Sequence, residues 1–355
     1  MTVLNLIRPE LLNQKPYVTR STPIKHRLHA NELPWSALDM DIPLNYYPDK
    51  CLKDQLQEQL ADRYKVNKEQ IALTRGSDDG IDLTTRLFLR AGKDACMQFP
   101  PTFAMYSFYA LLQHAAIIEC PLDPLCQFQI SLEDIRNRWQ TNCKIIFLCN
   151  PNNPTANLFD LDFIASLCNE YRDRSVIIVD EAYIEFTEAQ SATCLIPEFD
   201  NLVVLRTLSK AYGLANLRLG VLMAQERVIQ AFNAIMSPFP LSSVVLDLAQ
   251  QTLEKSEWFL ESINRIKEAR SQLIKELQLC PLIENVYPTE TNFILVKTKD
   301  SMGLVSWLAR QDIEVKSFPP DSSLQHHLRI TVGDELQNEI LLNALSSFQN
   351  NYLGN

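Results

Sequence analysis

Two kinds of hydrophobic spacing alternate along the chain. Between about residues 47 and 224, runs in which every position is apolar, such as Ile145-Ile146-Phe147-Leu148 and Val176-Ile177-Ile178-Val179, are separated by stretches with apolar residues every three or four positions, as at Leu52, Leu56 and Leu60. A run apolar throughout suits a strand covered on both faces, and the intervening period suits the helices that cover it. Strands are expected at 71–74, 95–99, 117–120, 144–149, 176–179, 202–205 and 218–223. This alternation is that of an α/β fold with a mainly parallel seven-stranded sheet.

Beyond residue 225 the pattern becomes mostly helical and charged up to about 277, with a bridging helix expected over 255–277. Strands at 292–296, 313–316 and 328–332 then predict a smaller α+β unit. The expected division is a large cofactor-binding domain over 45–255 and a small domain made of 1–44 and 256–355. The length of 355 residues agrees with two domains that need no disulfide or metal support.

Composition narrows the function. The chain has 8 glycines, about 2% against an average near 7%, and contains neither a G-x-G-x-x-G fingerprint nor a G-x-x-x-x-G-K-[ST] loop. Any phosphate cradle must be built another way. A net charge of −10 disfavours nucleic acid and anionic membranes, so an anionic substrate needs a local basic pocket. The nine cysteines follow no redox or zinc spacing and are expected mostly as reduced core residues. No apolar run reaches the length of a membrane span, and residues 1–10 lack the apolar core of a secretion signal, so a soluble cytoplasmic protein is expected. No metal is expected: the neighbours His326 and His327 fall on a strand and point to opposite faces. The four tryptophans are expected to pack, with Trp35 able to line a site entrance.

Chemistry-bearing residues cluster where the apolar runs end, the edge at which open α/β sheets bind ligands. Gly76-Ser77-Asp78 opens a helix, where Ser77 and Asp78 could act as a plain cap or their N–H groups could hold an anion. Asn150-Pro151-Asn152-Asn153-Pro154-Thr155 is an extended Asn-Pro turn. Asp180 ends a buried strand, where its charge calls for a cationic partner such as a protonated ring nitrogen. Ser209-Lys210, followed by Arg218, puts a lysine among positive charge, the setting that lowers its pKa and suits Schiff-base chemistry.

Together these segments, with Ala30-Asn31-Glu32, Tyr47-Pro48-Asp49, Asp180-Glu181-Ala182-Tyr183, Arg206-Thr207-Leu208-Ser209-Lys210 and Leu328-Arg329-Ile330, resemble the fold-type-I pyridoxal-phosphate aminotransferases, and among them the histidinol-phosphate aminotransferases. The resemblance implies pyridoxal 5′-phosphate as cofactor, held covalently by Lys210, which also moves the proton at the reacting carbon. It implies Asp180 against the pyridine nitrogen, Asn153 and Tyr183 on the ring hydroxyl, and Phe103 stacked on the ring. Ser77, Asp78, Ser209 and Arg218 would hold the phosphate, joined by Tyr47 from the neighbouring subunit of a homodimer. Arg329 would grip the anionic group of each substrate, with Tyr17 and Asn153 lining the same pocket and Lys316 standing where a second arginine is expected.

The implied reaction is transamination between L-histidinol phosphate and 2-oxoglutarate, giving imidazole-acetol phosphate and glutamate, in histidine biosynthesis. An aromatic amino acid aminotransferase of the same family is the alternative, since Lys316 lacks the planar fork of arginine. Decarboxylation of a phosphorylated amino acid and a non-catalytic cofactor sensor are more distant readings. Two glycines of the pattern are replaced, by Ala156 and Asn216. Asn216 is expected to tolerate positive φ, and Ala156 to mark either a turn without positive φ or strain.

Overall fold

The protein is described here from a computed structural model covering residues 2–16 and 30–353. Tyr17 lies outside the described residues. After short 3₁₀ turns at Val3–Leu6 and Pro9–Leu11, the chain runs through α1 (Lys50–Tyr64), β1 (Ile71–Thr74), α2 (Ser77–Phe88), β2 (Ala95–Gln98), α3 (Met105–Leu112), β3 (Ala116–Glu119), α4 (Leu132–Arg138) and β4 (Cys143–Cys149). It continues through α5 (Leu161–Glu170), β5 (Val176–Asp180), β6 (Leu202–Thr207), β7 (Gly220–Ala224), α6 (Glu226–Ile235), α7 (Ser243–Leu253) and α8 (Ser256–Leu279). The last elements are β8 (Ile283–Val286), β9 (Phe293–Thr298), α9 (Ser301–Ala309), β10 (Lys316–Ser317), β11 (His327–Thr331) and α10 (Glu335–Leu353).

β1 to β7 form one sheet in the order β1-β7-β6-β5-β4-β2-β3, in which β7 alone runs against its neighbours. Successive residues of the apolar runs serve opposite faces. Ile146, Leu148, Ile177 and Val179 enter one buried cluster, while Ile145, Phe147, Val176 and Ile178 enter the other. Each side chain so buried contributes about 1.5–3 kcal/mol. The reversal at β7 matters for the site, because an antiparallel neighbour is reached by a short return rather than a crossover helix. That return, residues 208–219, carries Lys210 along the C-terminal edge of β5 and β6.

The second sheet, in the order β10-β11-β9-β8, is antiparallel throughout. Ile294, Val296, Leu328 and Ile330 pack there with Leu273 and Leu277 of α8, Leu304 and Leu308 of α9, and Leu341 and Leu345 of α10. β8 was not expected from the sequence, and the strand expected over 313–316 is reduced to Lys316–Ser317.

The expected grouping of residues 1–44 with the small unit does not hold for the first turns. Val3 and Ile7 are buried with Leu83 and Leu87 of α2 and Phe232 of α6, on the larger sheet. Backbone bonds fix them there, from Val3 N–H to Asp200 Oδ2 at 3.0 Å and from Arg8 N–H to the Leu87 carbonyl at 3.0 Å. Among the cysteines, Cys96, Cys120, Cys143, Cys149 and Cys168 are buried, but Cys51, Cys126 and Cys194 are exposed.

Candidate active site

The N-terminus of α2 is capped by the backbone of Gly76, at φ +79°, with no capping side chain. Ser77 and Asp78 are therefore first-turn residues rather than caps, and their N–H groups have no carbonyl behind them in the helix. β7 makes this end open and close-packed at once. A Cβ on Gly220 would lie 2.3 Å from Gly76 C and 2.5 Å from Ser77 N, so any side chain there would displace the turn. Arg218, itself left-handed at φ 51°, folds its guanidinium over Gly76, donating to Ser209 Oγ and to Asp78 Oδ2, each at 3.2 Å. Helix N–H groups, a hydroxyl and a guanidinium converge as an anion site with little need for glycine.

The ends of β4, β5 and β6 supply the rest. Asp180 is buried, and its carboxylate accepts from the Tyr106 phenol at 2.8 Å and from Ala182 N–H at 3.2 Å. No ion pair reaches it among the described residues. Burial pushes it up to about 6, with the Tyr106 and Ala182 bonds opposing. Tyr183 donates its place to the same cluster by accepting from Asn153 Nδ2 at 3.2 Å. Lys210 Nζ lies 5.7 Å from the centre of the Tyr183 ring, and its pKa is lowered by burial and by the charges of Arg329 and Arg218. The shift is toward the neutral form that a nucleophilic amine requires.

Arg329 comes from the other sheet. It lies over the Phe293 ring at 5.2 Å, and its Nη1 donates to Asn153 Oδ1. With Phe103, these groups line a single cavity of about 230 Å³ that holds Ser77, Asp78, Asn153, Asp180, Tyr183, Ser209, Lys210, Arg218 and Arg329. Beside it, Arg206 is buried between Glu181 at 2.8 Å and Glu185 at 2.7 Å. Burial works against the Arg206 charge, but the two carboxylates outweigh it and hold the guanidinium protonated. Glu181 also accepts from Ser191 Oγ and Ala192 N–H, so this network ties the end of β5 to the end of β6.

Other expected residues stand outside the cavity. Lys316 is exposed on β10, directly opposite Arg329 in the register of β11, so the two Cβ atoms share a face. Tyr47 is 49% exposed and stacks on Phe239 at 4.6 Å. Trp35 is 73% exposed. Ala156 does adopt positive φ, at 61°, whereas Asn216 sits in a 3₁₀ turn and the left-handed residue there is Arg218. Tyr106, Thr207 and Cys149 were missed: the hydroxyl of Thr207 accepts from Ser209 N–H at 3.1 Å, and Cys149 lines the cavity floor. His326 and His327 do face opposite ways, with His327 buried against the Tyr287 hydroxyl at 3.0 Å.

A lysine, a buried carboxylate and a helix-end anion site around one cavity fit pyridoxal phosphate: Asp180 has hydroxyl and amide donors but lacks a cation, and Gly220 keeps the cradle open. Residues 13–345 match the family described as aminotransferase class I and II, and the chain belongs to that family. Within it, the chain is 56% identical, over all of its own length and 98% of the relative's, to histidinol-phosphate aminotransferase 1 of Legionella pneumophila strain Lens. The fold is shared with the histidinol-phosphate aminotransferase of Clostridium acetobutylicum, at a TM-score of 0.78 and 23% identity over 87% of this chain and 92% of that one. It is shared also with the Sinorhizobium meliloti enzyme of that name in complex with pyridoxal-5′-phosphate, at 0.76 and 21% over 85% and 84%.

Proposed function

We propose that the protein catalyses the reversible transfer of an amino group between L-histidinol phosphate and 2-oxoglutarate, with pyridoxal 5′-phosphate as cofactor. The observation that carries this reading is the convergence of Lys210, Asp180, Asn153, Tyr183, Arg218 and Arg329 on one cavity, in a chain 56% identical to a histidinol-phosphate aminotransferase. When bound, the cofactor supplies an electron sink for the carbon that loses its proton.

Each residue has a defined task. The Ser77 and Asp78 N–H groups, Ser209 and Arg218 hold the cofactor phosphate, and Phe103 covers the ring. Asp180 keeps the ring nitrogen protonated. Asn153 and Tyr183 donate to the ring oxygen. Lys210 would hold the cofactor through its amine, and that amine would move the proton at the substrate carbon. Arg329 takes the carboxylate of glutamate in one half of the cycle and the anionic end of histidinol phosphate in the other, with Lys316 on the same face as a second cation for the phosphate.

The reading includes a cytoplasmic homodimer in which Tyr47 of the partner subunit completes the phosphate site. Supporting it, Tyr47 lies at the surface of its own chain behind exposed apolar residues Leu33, Trp35, Leu38, Met40 and Leu44. The test is to mix the purified holoenzyme with glutamate and either imidazole-acetol phosphate or phenylpyruvate and to follow 2-oxoglutarate. Faster turnover of the phosphate substrate is expected. Preference for phenylpyruvate would replace the reading by the aromatic one, and no 2-oxoglutarate from either would end both.

A further inference from the structure

Asp180 has a neighbour that no part of the reading above uses. Tyr106, on α3, is fully buried, and its phenol donates to Asp180 Oδ2 at 2.8 Å. The ring is clamped. It stacks on Phe147 at 4.8 Å with planes 8° apart, and Phe103 meets it edge-on at 5.8 Å. The hydroxyl therefore cannot swing away without unpacking two aromatic rings. With Ala182 N–H on Oδ1, each oxygen of Asp180 carries one fixed donor, and the carboxylate plane is set before any ligand arrives.

We propose that Tyr106 is a positioning residue for the transamination: by donating to Asp180 Oδ2 it stabilises the ionised carboxylate, and so holds the proton on the ring nitrogen of the cofactor rather than on Asp180. The inference rests on the reading that Asp180 faces that nitrogen.

The need for such a donor follows from burial. A carboxylate removed from water becomes a stronger base, and Asp180 is pushed up to about 6, close to the range in which an aromatic ring nitrogen itself titrates. A proton between two sites so closely matched goes to whichever is stabilised less by its surroundings. If it settles on the carboxylate, the ring is neutral and no longer draws electrons from the substrate carbon. A hydrogen bond to the charged form tips the balance toward the ring nitrogen. Tyr106 keeps its own proton for this purpose, because burial, reinforced by the Asp180 charge, raises its pKa well above the ordinary phenol value. The proton count is unchanged by the shift: the same proton lies between Asp180 Oδ and the ring nitrogen in either form.

The experiment compares wild type, Tyr106→Phe and Asp180→Asn. Tyr106→Phe keeps the ring and its stacking, so a role in packing alone predicts no change. In cofactor-free protein with isotope-labelled aspartate, the Asp180 titration midpoint is expected to rise by about one pH unit in Tyr106→Phe, about tenfold in ionisation. In holoenzyme carrying cofactor labelled at the ring nitrogen, the resonance of that nitrogen is expected to move from the protonated toward the neutral position. Turnover is expected to fall about tenfold with KM for glutamate within about twofold. Asp180→Asn separates the two levels. If it leaves the ring nitrogen protonated and cofactor affinity intact, the reading of Asp180 fails. If it removes both while Tyr106→Phe overlays wild type in titration and resonance, the role of Tyr106 alone is overturned. Should Tyr106→Phe not fold, a ring-fluorinated tyrosine placed at 106, a stronger donor, is expected to lower the Asp180 midpoint. An unchanged midpoint there also overturns the proposal.

Discussion

Arg329 donates through Nη1 to Asn153 Oδ1 at 2.5 Å, joining β11 to the loop after β4 across 176 positions of sequence. The same two residues are assigned to the substrate anion and the ring oxygen. An arriving carboxylate or phosphate competes for the guanidinium, so substrate binding is felt at once by a residue of the cofactor site.

Arg329→Lys keeps the charge but loses the planar fork. On the proposal that one guanidinium serves both halves of the cycle, kcat/KM is expected to fall by about 100-fold for glutamate and for histidinol phosphate alike, in line with two charged hydrogen bonds weakened. Half-reactions monitored separately with each amino donor check this. A loss confined to one donor would refute the shared use of Arg329.

Gly220→Ala tests the cradle. Its Cβ would meet Ser77 N at 2.5 Å, and the turn before α2 has to move. The expected cost is about 2 kcal/mol in unfolding free energy by denaturant titration. Cofactor affinity is expected to fall about tenfold as the helix-end N–H groups leave register. An alanine variant with wild-type affinity would mean that the phosphate is held elsewhere.

Lys210 gives a pH signature in the cofactor-free protein. Its folded pKa is depressed by burial and by Arg329 and Arg218, so between that value and the unfolded one near 10.4 the unfolded chain binds the extra proton. Below that interval the buried ammonium carries its full penalty, and the penalty is relieved as pH rises across it, so stability increases with pH there. Denaturant titrations across alkaline pH are expected to show wild type gaining stability relative to Lys210→Met as pH rises toward the unfolded value. Parallel curves would show that Lys210 is not perturbed.

Arg206→Met leaves Glu181 and Glu185 buried without their cation. Breaking a buried pair this way costs about 3–5 kcal/mol. The burial that already raises the Glu185 pKa then loses its main opponent, so the variant is expected to recover stability toward acid pH as Glu185 takes up a proton. Thermal unfolding at pH 5 and pH 8 measures it.

The central strands were legible because β4, β5 and β6 are covered on both faces and carry unbroken apolar runs along most of their length. β8 was not, since an edge strand with exposed positions such as Glu284 and Asn285 leaves no such run. Site residues at strand ends were legible through their motifs. Tyr106 and the pairing of Glu181, Arg206 and Glu185 were not, because a hydrogen bond between residues 74 apart in the chain has no local spacing to betray it. The sequence pointed correctly to Ala156 as the position where a glycine is missing. Its φ of 61° is left-handed, as a glycine position would allow, whereas around Asn216 the left-handed residue is Arg218.

Of the residues lining the cavity, Arg329 alone comes from the four-stranded sheet; the others sit on the strand ends of the seven-stranded sheet, the loops that follow them and the start of α2. On the proposed roles, proton handling and substrate choice therefore rest on separate pieces of chain. Variation around Arg329 and Lys316 can retune which anion is accepted while the proton-handling residues keep their geometry, an arrangement that lets one fold diversify without relearning its reaction.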